Sequence, residues 1–536
     1  MIFGGPFGAL LLAIVAAVGI YRLVIYPAFF SSLSRIPAVH PIARFSSLWI
    51  IWQRYRHNEI STLHKAHRRH GPVVLIGPAD ISINCVKGGL KTVYLGGFGK
   101  PEWFANVFVN FGTLNMVSME DHHSHSVRKR ILSHLYSKSH ILSSSALKGV
   151  MQTVVQDRFI PVLHSAAEAS ADVDVYSLFG GAAMDIVTGY LYGLYASTDF
   201  TTNEAERRRF HDLYFSRRGP DFWLQFPTIV SFLKKYLYIG LIPAWFTTVT
   251  EEIEAFILAM NDKAGALLSE SDPTIPALPS HQPTVYAHLS SALHASAASA
   301  PSPSFCPRLS TASELMDHTI AGYEASTITL TYLSWQLSLH PSLQRALRAE
   351  ILAAAATTSD ESFLLPDPRT LDTLPLLHAC VVETLRLHAG APGPQPRVTP
   401  HVVGGTTLGP PGTPHCYAGI PGGVRVAASA WCLHRNEEVF PEAEEWRPER
   451  WLDGKGGLLK RAREMGRWFW AFGSGGRVCV GSHLALYQIK HVAAALYAGF
   501  ETEIVDDEGI EQEDHFLAHP KGHKLIVRVK EIDLGK

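Results

Sequence analysis

Net charge is what this chain most lacks. Its 536 residues hold 47 Lys+Arg against 48 Asp+Glu, a formal net charge of -1 with a pI of about 7.2, so no global field invites a polyanion such as nucleic acid. Cysteine is sparse: Cys85, Cys306, Cys380, Cys416, Cys432 and Cys479 form no close-set framework. That sets aside a disulfide-stapled scaffold and fits a reducing compartment without disulfides. No internal repeat is present, so solenoids and propellers fall away. The last absence is local. Residues 1–21, MIFGGPFGALLLAIVAAVGIY, carry no charged side chain, about the 20 residues a bilayer core requires. A cleaved signal peptide would begin with basic residues, whereas here Arg22, Arg35 and Arg44 follow the run. A membrane anchor over 1–26 is expected, with the body on the cytosolic side.

Pro27, Pro37 and Pro41 then predict a stiff connector over 27–45 that cannot continue the helix. The remainder, 46–536, reads as one large domain, mainly α with a minor β part. Short strand-like pieces fall at 73–76, 81–86 and 524–529. Residues 276–310, rich in Ala, Ser, Pro and His, read as a surface insertion with no packing signal. Thr311-Ala312-Ser313-Glu314 reads as a capping box opening a long helix that Pro341 ends. Pro375 suits the first turn of a helix ended by Gly390, on which Glu383 and Arg386 share a face among apolar neighbours.

The most informative stretch is Phe472-Gly473-Ser474-Gly475-Gly476-Arg477-Val478-Cys479-Val480-Gly481. It sets one cysteine in a glycine-rich turn, two residues after a cation, just before a predicted helix over Ser482–Gly499. A helix N-terminus favours negative charge, so a lowered thiol pKa is expected. The glycines let backbone approach a flat partner that Phe472 can cover. Phe472, Gly475, Arg477, Cys479 and Gly481 match the pattern Phe-x-x-Gly-x-Arg-x-Cys-x-Gly at every fixed position. On these residues the chain resembles the cytochrome P-450 haem-thiolate monooxygenases, in their membrane-bound fungal form. The resemblance implies a single haem-enclosing, α-rich domain behind an N-terminal transmembrane helix, with Cys479 as proximal ligand of haem b iron.

Ala321-Gly322-Tyr323-Glu324-Ala325-Ser326-Thr327 is similar to that family's distal-helix pattern Ala/Gly-Gly-x-Asp/Glu-Thr-Thr/Ser, with Glu324 as the acid. It departs at Ala325, where a threonine is usual, so the resemblance passes proton delivery to Glu324 with Ser326 or Thr327. Gly322 predicts close approach of a ligand, because glycine inside a helix costs about 1 kcal/mol against alanine. Glu383, Arg386 and Arg450, in Trp446-Arg447-Pro448-Glu449-Arg450-Trp451, resemble the family's structural triad. Haem carries two propionates, and the resemblance assigns them to Arg477, to Arg397 and to the helix with His125 and Lys129, where His125 stands for a tryptophan and Lys129 for an arginine; Arg130 is an alternative.

Lys455, Lys460, Arg461, Arg463 and Arg467, with Arg128 and Lys129, suggest a basic face for an acidic electron donor. By the resemblance the donor is an NADPH-cytochrome reductase, with cytochrome b5 as a second candidate. The aromatic, apolar stretch 220–245 suggests the roof of an access channel dipping into a membrane surface. The function implied is insertion of one oxygen atom from dioxygen into a lipophilic molecule, by hydroxylation or epoxidation, at the endoplasmic reticulum membrane in fungal secondary metabolism. Two alternatives stay open here: a haem-thiolate isomerase or dehydratase needing no reductase, and a non-catalytic membrane binder of haem or lipid.

Overall fold

A computed structural model describes residues 6–269, 278–299, 305–356, 365–453, 457, 459 and 463–533. The N-terminal apolar helix runs from Pro6 to Ile20 and continues in wider turns over Tyr21–Phe30. Its stretch Ala9–Phe30 has a mean hydropathy of 2.3, and within it only Ala28 is buried. Pro27 was expected to end this helix and instead lies within it. A wide turn absorbs the missing N–H and the ring's bulk that an α-turn cannot.

Three helices make the centre of the main body. Pro307–Leu339 crosses the molecule, Val175–Tyr192 packs along it, and Ser482–Gly499 lies on its other flank. Every residue of Val175–Tyr192 except Ser177 is buried, which explains a sequence apolar nearly all round rather than on one stripe. Val187, Tyr190, Leu315, Leu330, Val492 and Leu496 meet in one apolar cluster.

A smaller β region sits to one side. Strands Val73–Gly77, Asp80–Ile83, Arg425–Ser429 and Pro394–Val398 form a four-stranded sheet in that order. The central pairing is parallel, Ile81 opposite Val426, and both outer pairings are antiparallel. Near the C-terminus Phe500–Asp506 and Ile526–Glu531 pair antiparallel, and Asp172–Asp174 completes that sheet.

Two expectations need correction. Within 276–310, Thr284–Ser299 is a helix whose Val285, Leu289 and Leu293 are buried in the main core. Their spacing of four is a buried stripe that the surrounding Ala, Ser and His obscured. The long helix begins at Pro307, not after a capping box. Thr311 Oγ1 donates to the Pro307 carbonyl at 2.8 Å, inside the helix. Glu314 is buried, accepting from the Met116 N–H at 3.1 Å and from Arg128 at 3.0 Å.

Candidate haem-thiolate site

The cysteine loop is shaped by its glycines. Gly473 and Gly475 have φ of +69° and +74°, a region where a side chain is strained, and a Cβ on Gly475 would also lie 2.2 Å from the Tyr94 carbonyl oxygen. The Cys479 N–H donates to the Phe472 carbonyl at 2.9 Å, closing the loop on itself. At Gly481 a Cβ would sit 4.0 Å from Cys479 Sγ. Cys479 is exposed only in the sense that its sulfur opens into an internal cavity of about 640 Å³, lined also by Phe472, Gly473, Arg477 and Gly481. The thiol pKa is raised, against expectation: burial pushes it up more than the Gly481 and Ser482 N–H groups and Lys129 pull it down. Thiolate formation at this sulfur therefore calls for a cation as partner, as a bound metal supplies.

Cations crowd one edge of the cavity. Arg477 donates to the Met119 carbonyl at 2.7 Å and the Glu120 carbonyl at 2.6 Å. Burial, with Arg397 nearby, lowers its pKa to about 10. Arg397 is buried, donates to the Pro396 carbonyl and lies over the Tyr94 and Phe104 rings at 5.0 and 5.7 Å. Lys100, which sequence reasoning missed, donates to the Val117 carbonyl and stands 4.4 Å over Phe104. Burial and then Arg477 and Arg397 push its pKa well below the usual range. His125 is buried beside Arg477, Lys100 and Lys129, and burial with those charges lowers its pKa to about 3, so the ring is neutral. Three mutually repelling, partly desolvated cations beside a thiol in a cavity fit a dianionic group seated over the sulfur. The two propionates of haem are such a pair.

Lys129 lines the same cavity and also reaches the cysteine loop. Its ammonium donates to the Gly476 and Val478 carbonyls at 3.0 and 2.7 Å and so braces the cysteine loop. Arg130 turns back to the Ser126 carbonyl of its own helix. Arg128 is buried against Glu314 and leaves the proposed basic face. Arg467 is exposed and paired with Glu464. Lys455, Lys460, Arg461 and the side chain of Arg463 lie outside the described residues.

On the opposite wall, Ala321, Gly322, Glu324, Ala325, Ser326 and Thr329 of the long helix line the cavity. A Cβ at Gly322 would lie 2.6 Å from Val187 Cγ2, so close helix packing requires this glycine before any ligand does. Ser326 Oγ is bound by the Gln488 amide. Thr327 does not line the cavity; its hydroxyl donates to the Tyr323 carbonyl at 2.7 Å. Glu324 is buried; Oε2 accepts from Tyr214 at 2.9 Å and Oε1 faces His519 Nε2 at 3.1 Å. Neither Tyr214 nor His519 carried a sequence signal, since both come from elements distant in the chain.

Behind the cysteine loop the ion-pair nest assembles as expected. Arg386 forks onto Glu383 with two contacts of 2.8 Å, and Arg450 Nε adds a third at 2.8 Å. The Trp451 indole donates at 2.9 Å and the Arg447 backbone at 2.9 Å. Arg386 spends its other donors on the His434, Ala443 and Glu445 carbonyls. A buried pair is tolerated only when its remaining donors and acceptors are satisfied in this way.

An α-rich body with a thiol beneath a large cavity, a cationic edge and an acid on the facing helix defines a haem-thiolate protein. The family model for cytochrome P-450 matches residues 40–527, and the chain belongs to that family, in its fungal type. Among its relatives, the cytochrome P-450 monooxygenase sdnE of Sordaria araneosa is 27% identical over 97% of both chains. The monooxygenase avaI of Aspergillus versicolor is 26% identical over 78% of this chain and 92% of its own. The monooxygenase pkfB of Emericella nidulans is 33% identical, but over 39% of this chain and 38% of its own length. The family's members bind haem b and take electrons from a redox partner. Here Cys479 would ligate the iron, with Arg477, Arg397 and Lys100 at the propionates.

Proposed function

We propose that the chain inserts one oxygen atom from dioxygen into an apolar small molecule that arrives from the bilayer, as a step in fungal secondary metabolism. The observation that carries this reading is that Cys479 and Ala321, Gly322 and Ala325 of the long helix line one cavity of about 640 Å³, room for a cofactor and a substrate together. Haem, when bound, supplies dioxygen activation with electrons from a reductase. The chain's residues do the rest. Phe104, Val107, Phe108, Ile320, Phe516 and Leu517 line the cavity with apolar surface that orients a lipophilic skeleton and excludes water. Glu324 holds a carboxyl at the cavity wall, where a proton can be delivered.

Membrane attachment is supported by the apolar helix at the N-terminus and by a second surface. The helix Pro227–Leu237 has no buried residue. Ile229, Phe232, Tyr236, Leu237, Tyr238, Ile239 and Trp245 stand exposed with Leu48 and Trp52. The two groups meet where Tyr55 packs on Phe222 and Trp223 at 5.4 and 6.2 Å. Phe222, Leu224 and Gln225 also line the cavity, so its mouth opens beside the exposed apolar patch. We place the protein on the cytosolic face of the endoplasmic reticulum membrane, with an NADPH-cytochrome reductase as donor. The test is expression with that reductase under ¹⁸O₂ and mass spectrometry of fed lipophilic precursors. One ¹⁸O atom per product, dependent on NADPH, is expected; unlabelled rearranged product formed without NADPH contradicts the reading.

A further inference from the structure

The hydroxyls beside Glu324 on the long helix bond to groups other than Glu324. Ala325 has none, Ser326 is bound by Gln488, and Thr327 and Thr329 donate to the Tyr323 and Ala325 carbonyls at 2.7 and 2.8 Å. The protic partners of Glu324 come from elsewhere. Tyr214 sits on the helix Glu204–Ser216, and His519 lies between the strands Phe500–Asp506 and Ile526–Glu531. Burial and the Glu324 charge hold the Tyr214 proton far above its usual range, so Tyr214 anchors the carboxylate and releases nothing. An imidazole is different, because both of its nitrogens exchange protons near neutral pH.

His519 continues away from the cavity. Its Nδ1 lies 2.8 Å from the Tyr176 hydroxyl, and its ring is 5.9 Å from that of His523. His523 Nε2 lies 3.1 Å from Glu513 Oε1 and 3.3 Å from Arg218. The His211 ring stands 5.8 Å from His523 and 6.1 Å from Tyr176. Side-chain exposure falls from 26% at His211 and 22% at His523 to 1% at His519 and 2% at Glu324. The groups form a file from solvent to the cavity wall.

We propose that His519 is the proton-relay residue for Glu324, so that protons reach the distal cavity from the His523, Glu513 and Arg218 cluster through His519 rather than along the hydroxyls of the long helix. This rests on the monooxygenase reading, whose chemistry consumes protons. In the neutral ring Nε2–H faces Glu324 Oε1 and Nδ1 accepts from the Tyr176 O–H. The Nε2 proton passes to Oε1 and makes Glu324 a neutral acid. At the same time Nδ1 takes up one proton from the solvent side through a bridging water, because burial holds the Tyr176 proton as it holds that of Tyr214. One proton enters and one leaves, with no oxidant required. The groups that set the pH response of His519 are Glu324, Tyr214, Tyr176, Tyr323, His211, His523, Glu513 and Arg218. Burial lowers its pKa while Glu324 raises it.

The test uses the full chain with haem, a reductase and 7-ethoxycoumarin as probe. His519→Gln keeps an amide facing Glu324 but cannot exchange protons. Its carbon monoxide spectrum should match the parent's, while product per NADPH falls roughly 10- to 100-fold, peroxide release rises and the solvent isotope effect grows. Turnover driven by added hydrogen peroxide, which brings its own protons, should be unchanged. Independently of turnover, infrared titration of the Glu324 carboxyl band, assigned with Glu324→Gln, should show coupling to a second group that His519→Gln removes. Should His519→Gln lose its haem, His523→Gln leaves the surroundings of Glu324 intact and should shift the same pH profile. Parent-like coupling, isotope effect and infrared titration in a haem-replete variant would overturn the relay while leaving the monooxygenase reading standing. Absence of NADPH-dependent dioxygen consumption in the parent overturns that reading instead, and the infrared arm still judges His519.

Discussion

The backbone N–H of Trp470 donates to His434 Nε2 at 2.7 Å. Because Nε2 accepts, the ring proton sits on Nδ1, which donates to the Arg386 carbonyl at 2.8 Å. One neutral imidazole thus ties the ion-pair nest around Glu383 to the start of the cysteine loop. Trp470 is itself braced, its indole donating to Ser474 at 2.9 Å and its ring set edge-on to Tyr94 at 4.7 Å.

Replacing His434 with alanine leaves a buried donor and a buried acceptor without partners, each costing about 1–3 kcal/mol. The expected outcome is a lower Tm and a smaller fraction of red-shifted species in the reduced carbon monoxide spectrum. His434→Ala with an unchanged spectrum would show that the loop does not depend on this link.

Glu383→Gln removes the charge that balances Arg386 and Arg450. Arg386 is fully buried, and breaking such a pair costs about 3–5 kcal/mol. Chemical denaturation should show that loss, together with poor recovery of haem-loaded protein.

Lys100→Met relieves repulsion among Lys100, Arg397 and Arg477 but removes a partner for the propionates. The haem-free protein should therefore gain stability while haem is lost faster to an acceptor such as apomyoglobin. Both changes are read in one pair of measurements, Tm without haem and the rate of haem transfer.

Acid should destabilise this fold early. Burial lowers the pKa of His67, His378 and His491 to about 4, and that of His125, His388 and His434 to about 3, from 6.5. Between pH 6.5 and 3 the unfolded chain binds protons that the folded chain refuses, so stability falls as pH falls through that window and is insensitive to these groups above it. Stability measured by denaturant at pH 7, 6, 5 and 4 should decline with proton uptake on unfolding, and His434→Ala should reduce the slope.

How much of this was legible beforehand follows from where each contact's partners lie in the chain. Phe472 to Gly481 form a loop whose chemistry is complete within ten residues of sequence, so its cysteine and cation could be read directly. Glu383 and Arg386 share one helix, and Arg450 is held by the same carboxylate. Tyr214, Gln488 and His519 act only through contacts with segments far away in the chain, and Lys100 meets Arg397 and Arg477 only in the fold, so composition gives no hint of them. The glycine at 322 stands out in the sequence as a ligand approach, and the contact it makes is with the flank of Val187. Lys129 stands at the cavity wall where the pattern set a charge, and its ammonium bonds two carbonyls of the cysteine loop.

The most direct test of the whole account is the reduced carbon monoxide difference spectrum of the purified chain. A bound haem with the red-shifted Soret band of thiolate ligation, abolished by Cys479→Ala, is the predicted result. Absence of haem, or a Soret band that is unshifted or survives Cys479→Ala, would contradict it.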